Sequence, residues 1–144
     1  MLSRRADYGV RAMVDVASQS PANRLVVSAI AERQRIPVQF LAKIMPRLAH
    51  AGLVHTSLGA SGGVALALPA DQITLLQIIE AIDGPLRLNL CSLNPQQCDC
   101  NKNCAALDVW CRAQAQLNQT LAQTRLGDLV AQQRRVASKN KSPR

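Results

Sequence analysis

Aromatic residues are almost missing: Tyr8, Phe40 and Trp110 are the only three in 144 residues. A core built from this chain must therefore be aliphatic, and a 48% hydrophobic content supplies the side chains for one. Acidic residues are also scarce, nine against seventeen Lys and Arg. No apolar run approaches the roughly eighteen residues that cross a bilayer, which excludes a helical membrane span. The opening "MLSRRADYGVRAM" places Arg4, Arg5, Asp7 and Arg11 where a secretory leader would be apolar. A cytoplasmic protein with reduced thiols is the expectation. Paired catalytic carboxylates, a nucleophile–base motif and a phosphate-cradling loop are all lacking, so no enzyme is expected. What remains is about one domain's length, rich in Ala, Leu and Gln, which favours a mainly α protein.

The charge that is present is unevenly placed. Residues 1–60 hold eight Lys/Arg against three Asp/Glu, residues 61–110 two against five, and residues 111–144 seven against one. Basic flanks around an acidic middle suit a polyanionic partner, nucleic acid before membrane. Cysteine is confined to one stretch, "CSLNPQQCDCNKNCAALDVWC", which holds all five thiols: Cys91, Cys98, Cys100, Cys104 and Cys111. An odd number in a reducing compartment argues against a disulfide framework. Thiolates are soft ligands suited to an iron–sulfur cluster. Zinc is the second candidate metal, although only C-x-C and C-x3-C spacings occur in place of paired C-x2–4-C motifs. A metal-free thiol–disulfide switch is the third. Asn94, Pro95, Asn101 and Asn103 are turn formers that let a short loop turn its sulfurs toward one point.

Hydrophobic spacing sets out the elements. Ser3 suits an N-cap, and Tyr8, Val10, Met13, Val14 and Ala17 recur at helical intervals, predicting a first helix over 4–19. A short helix follows from Ser28 through "SAIAERQRI". Pro37 suits the first turn of a third helix that turns Phe40, Leu41, Ile44 and Leu48 inward and ends at Gly52. Pro46 within it removes a helical hydrogen bond and predicts a kink, for which nothing in the sequence gives a reason. "LVHTSL" and "VALAL" read as strands, with the glycine-rich "GASGG" as a hairpin tip. Thr74 caps "LLQIIEAID", which Gly84 and Pro85 stop. Beyond the cysteines, Leu107, Trp110, Gln114, Leu117, Leu121 and Thr124 share one face of a helix over 104–123. At 1.5 Å per residue that helix is about 30 Å long and requires a partner, most simply a second copy of the chain. A last helix is predicted over 126–136.

Helix, turn, helix and hairpin in that order form a winged helix–turn–helix, whose second helix enters the major groove of DNA. The fold class is therefore mainly α with a small β-hairpin wing, followed by a long C-terminal dimerisation helix. The expected division is a DNA-binding domain over 1–84, a cysteine-rich loop over 85–104, the dimerisation helix and a short final helix over 105–136, and a disordered basic tail over 137–144.

The chain resembles the winged-helix regulators that include the iron–sulfur protein IscR, the nitric-oxide-sensing repressor NsrR and the iron-responsive RirA. The resemblance is carried by "ADYGVRAMVDVA", "IAERQRIPVQFLAKIMPRLAHAGLV", "SLGASGGVALALP", the cysteine loop and "TRLGDLV". It implies a homodimeric transcriptional regulator, a repressor, bound to a double-stranded DNA operator and controlled by a cluster that senses nitric oxide, redox or iron status. The family's ligand spacing falls best on Cys91, Cys98 and Cys104, with Cys100 as the alternative ligand and Cys111 as a packed thiol. The histidine that IscR-like proteins place three residues after the last cysteine is Leu107 here. NsrR-like proteins offer an acidic residue from the partner's first helix, and Asp7 matches that position, which puts [4Fe–4S] ahead of [2Fe–2S]. Without the resemblance, Asp7 reads as a first-turn carboxylate favoured by the helix dipole. Gln39, Phe40, Lys43 and Arg47 are the candidate groove-facing residues, with Phe40 also a candidate for the core. Ser28, Ser57, Gly59, Ser61 and Gly62 are candidates for phosphate contacts. His50 and His55 read as surface or phosphate-contacting residues. Leu58 stands where IscR-like wings carry an arginine, and Ala42 where their reading helix is acidic. The alternative function is a cluster-free regulator of the same fold that senses thiol redox state or a small metabolite.

Overall fold

The computed structural model describes residues 2–19, 22–99 and 101–141. Seven helices and one hairpin run in the order α1 (Arg4–Ser18), α2 (Val27–Gln34), α3 (Val38–His50), β1 (Val54–Ser57), β2 (Gly63–Leu66), α4 (Leu75–Asp83), α5 (Leu90–Leu93), α6 (Leu107–Gln123) and α7 (Leu126–Asn140). This is a mainly helical protein with a β-hairpin wing, as the periodicity and the glycines predicted.

Local chemistry explains most boundaries. The Ser3 hydroxyl accepts from the Ala6 N–H at 3.1 Å and starts α1. Arg35 adopts the left-handed conformation (φ 53°), and the Ile36 N–H reaches back to the Ala31 carbonyl at 2.9 Å, closing α2 before the turn into α3. Gly52 (φ 75°) follows α3, and its N–H bonds to the Ala49 carbonyl. Thr74 and Gln77 form a reciprocal capping box at the start of α4. Three boundaries depart from expectation. The second helix starts at Val27, one residue before Ser28, and Pro37 is the N-cap of α3 and not its first residue. Pro46 is no boundary: α3 continues through it to His50, as expected, because the exposed ring sits on its outer side and only the Ala42 carbonyl loses a partner. Finally, α7 runs to Asn140, so residues 137–140, expected to be disordered, are helical; residues 142–144 of that predicted tail lie outside the described residues.

The core is aliphatic, as the shortage of aromatics required: Met13, Ile30, Leu41, Ile44, Leu48, Ile73, Ile78, Ile82 and Leu126 are fully buried. Leu126 and Val130 place α7 in this core alongside α1. The last helix thus packs with the winged-helix body instead of standing with the long helix, as the expected division had it. The body is crossed centrally by α1, which packs on α2, α3, α4 and α7. At its contact with α4, Gly9 leaves room for Ile82, whose Cδ1 would overlap any Cβ placed there. Asp15 and Arg33 tie α1 to α2 through two charge-assisted bonds of 2.7 and 3.1 Å to Asp15 Oδ2. The Arg33 pKa is raised, chiefly by its hydrogen bond to Asp15.

Valine at Gly9 would gain helix propensity, but it would be overpacked against a buried isoleucine. Gly9→Val is expected to lower the unfolding free energy by about 2–3 kcal/mol, read from urea denaturation; unchanged stability would mean that α4 is not seated on Gly9.

Candidate nucleic-acid interface and cysteine site

Gln39, Lys43 and Arg47 lie four residues apart on the solvent side of α3, and all three are exposed. Their roles divide on inspection of their partners. Gln39 and Lys43 project outward, whereas the Arg47 guanidinium donates to the Ile82 carbonyl near the C-terminus of α4 at 2.5 Å. Arg47 therefore fastens α3 to α4, a tie that spacing alone did not show. Phe40 is also removed from the groove-facing set. It is half-buried against the core and meets Tyr8 edge to face, with ring centroids 5.4 Å apart.

The wing pairs Val54 with Leu66 and Ser57 with Gly63 in antiparallel register. Leu25 adds a bridge to Val64, with bonds of 2.9 and 2.8 Å in the two directions. Gly63 is required there: at φ 136° a Cβ would lie 2.7 Å from the Leu25 carbonyl oxygen. At the tip, the Gly62 N–H is used by the Gly59 carbonyl at 3.0 Å, so it is engaged in the turn and not directed at a phosphate. Ser28, Ser57, Gly59 and Ser61 are exposed, and so is Leu58 at 100%. The Ser57 hydroxyl accepts from Arg24 Nη1 at 2.7 Å. Arg24 thus brings a cation to a wing whose own tip has none. Sequence reasoning passed over it because it lies 33 residues from its partner.

The cysteine segment leaves α4 through Gly84 (φ 81°). Asn89 caps α5, accepting from the Ser92 N–H at 3.0 Å and from the Cys91 thiol at 3.3 Å. A 3-10 turn over Pro95–Gln97 ends at Cys98, and another over Asn101–Asn103 precedes Cys104. Cys91, Cys98, Cys104 and Cys111 are free and half-buried. Loss of solvation pushes the Cys91 thiol pKa up, and negative charge on Cys98, Cys104 or Cys111 pushes it further. Cys111, expected only to pack, is half-buried and free like the candidate ligands. Cys100 lies outside the described residues. Among the described residues, no three of His, Cys, Asp and Glu are grouped as a metal requires. Asp7 is 64% exposed and pairs with Arg11 at 3.6 Å within α1. His50 and His55 are exposed on α3 and β1.

A family model described as Rrf2, an iron-dependent transcriptional regulator, matches residues 2–132. The chain belongs to the Rrf2 family. The transcriptional regulator IscR of Vibrio campbellii is 30% identical over 90% of the chain and 76% of its own length. Among solved structures, IscR of T. potens superposes with a TM-score of 0.74 at 25% identity, over 100% of this chain and 93% of that one. CymR of B. subtilis, a global cysteine regulator, gives 0.75 at 25% identity, over 91% and 96%. Rrf2 membership makes this a transcriptional regulator of winged-helix type, and no described helix is long and apolar enough to cross a membrane.

On DNA, Lys43→Ala is expected to flatten the slope of log affinity against log salt by about 0.9 per protomer. Arg47→Ala should instead lower the thermal midpoint and leave the slope alone. An unchanged slope in Lys43→Ala would take Lys43 off the DNA.

Proposed function

We propose that the protein is a homodimeric repressor whose operator affinity is set by an iron–sulfur cluster held by the cysteine segment. The observation that carries this reading is the confinement of four free, half-buried thiols, Cys91, Cys98, Cys104 and Cys111, to one turn-rich segment and the helix that follows it. Free thiols are soft donors that fit iron and sulfide better than a hard cation, although among the described residues they are not drawn together as a bound metal requires. Cys91, Cys98 and Cys104 are the ligands this reading assigns, with Cys100 the alternative. Asp7 of a second protomer would complete the set, which favours [4Fe–4S] over [2Fe–2S]. Its exposure supports that role, because the carboxylate is free to leave Arg11 for a neighbouring chain.

Homodimerisation is supported by α6. It packs on α4 and α5, yet leaves Val109 and Trp110 exposed at 52% and 42%. Large apolar side chains side by side on a long helix suit burial against a second copy. DNA contact is assigned to Gln39 and Lys43 in the major groove. Arg24, Ser28, Ser57, Gly59 and Ser61 are assigned to the backbone.

A cluster-free thiol sensor is the second reading. It is favoured by the likeness to CymR and by the lack of any metal-like grouping among the described residues. Anaerobic purification separates the two. Brown protein with near-stoichiometric iron and sulfide is expected, with the colour lost in Cys98→Ala. Asp7→Ala is expected to change the visible spectrum and the rate of reaction with nitric oxide. Colourless protein that cannot be reconstituted would refute the cluster, and an intermolecular or intramolecular disulfide formed on oxidation would then support the second reading.

A further inference from the structure

Gln114 is the only buried residue of α6, 3% exposed, and both ends of its amide are fully used. Its Oε1 accepts from the Leu88 N–H at 2.7 Å and from Ser92 Oγ at 2.8 Å. Its Nε2 donates to the Leu86 carbonyl at 3.0 Å and to Asn118 Oδ1 at 2.9 Å. Three of these four partners belong to residues 86–92, the stretch that carries Cys91. The connection continues to sulfur: the Ser92 N–H donates to Asn89 Oδ1 at 3.0 Å, and the same oxygen receives the Cys91 thiol at 3.3 Å.

An apolar side chain of similar size would fill the same space, but it would not fix the register of α6 along this segment. A buried amide with four partners does, because any slip costs the Leu88 N–H and the Leu86 carbonyl their partner and leaves the Gln114 amide, 3% exposed, unpaired. The sequence placed Gln114 on one face of the long helix, between Trp110 and Leu117. Its side chain is the member of that face buried within its own chain, with Leu117 and Leu121 half-buried beside it.

We propose that Gln114 is the positioning residue that seats Cys91 and transmits the state of the sulfurs to α6, an inference that rests on the sensing function above. A change at Cys91 moves residues 86–92, and Gln114 makes α6 follow or lose its bonds. The far end of α6 is also fastened to the body, through the Leu75 N–H to the Thr124 carbonyl at 2.9 Å and the Leu126 N–H to the Ile73 carbonyl at 2.8 Å. Displacement at the first end is thereby passed to the DNA-binding body.

Gln114→Met, nearly isosteric, removes all four bonds. In reduced, cluster-free protein, iodoacetamide is expected to alkylate Cys91 roughly tenfold faster than in the unsubstituted chain, as loss of one or two hydrogen bonds implies. Cys98, which Gln114 does not hold, should react at its usual rate. Ser92→Ala breaks only one of the four bonds and should give a smaller increase; it carries the test if Gln114→Met does not fold by circular dichroism. In the second arm, operator affinity is measured with iron and sulfide loaded and after their removal. The ratio, about 5- to 150-fold for ordinary coupling, should collapse toward one in the substituted protein. Unaltered alkylation of Cys91, or a retained ratio, would overturn the proposal. An unsubstituted protein with equal affinity in both states would refute the sensing function instead, and alkylation alone would then decide whether Gln114 seats Cys91.

Discussion

The contact between α1 and α4 supports everything else in this protein. Each of the body helices α2, α3, α4 and α7 rests on α1, and the approach of α4 depends on the missing side chain at Gly9. The C-terminus of α4 then serves three neighbours at once. Arg47 ties the groove-facing helix to the Ile82 carbonyl. Ser3 donates to Asp83 through its N–H at 3.1 Å and its hydroxyl at 2.6 Å, holding the start of α1 and with it Asp7. The cysteine segment departs from the same place at Gly84. A helix of nine residues thus joins the parts that read DNA to the part that carries the sulfurs.

Placement of the polar residues shows why that junction is compact. Two acidic residues of the chain's middle are used at α4, where Asp83 accepts from Ser3 and Glu80 accepts from the Leu86 N–H at 3.4 Å. The basic residues lie outside it, on α3, before α2 and along α7. Several cations are nonetheless occupied within the chain: Arg33 and Arg47 turn inward to Asp15 and the Ile82 carbonyl, while Arg11 and Arg112 pair with Asp7 and Asp108 on their own helices.

Much of the body was legible in the sequence because it is governed by local rules. Helical spacing, the Ser3 and Thr74 caps and the glycine-rich tip located α1, α4 and the wing to within a residue or two. Long-range partners were not legible. Nothing local marks Arg24 as a neighbour of Ser57, Arg47 as a partner of α4, or Gln114 as the one buried residue of α6. In each case a long polar side chain reaches across a gap fixed by packing elsewhere, and periodicity cannot say which of two directions it takes. The cysteines were partly legible. Their turn-rich loop was expected and is present as two 3-10 turns, whereas how the sulfurs are disposed in space depends on turns that local spacing does not encode.

The bonds that shape the cysteine loop have a consequence of their own. Between Asn94 and Leu107 the backbone bonds among the described residues are short-range: Gln97 to Asn94, Cys98 to Pro95 and Leu107 to Cys104. None of them ties the loop to the aliphatic core. The described residues on either side of the loop can therefore rearrange without breaking a backbone bond to the body. The chain keeps its thiols outside its most cooperative part, so a chemical change at sulfur need not cost the fold.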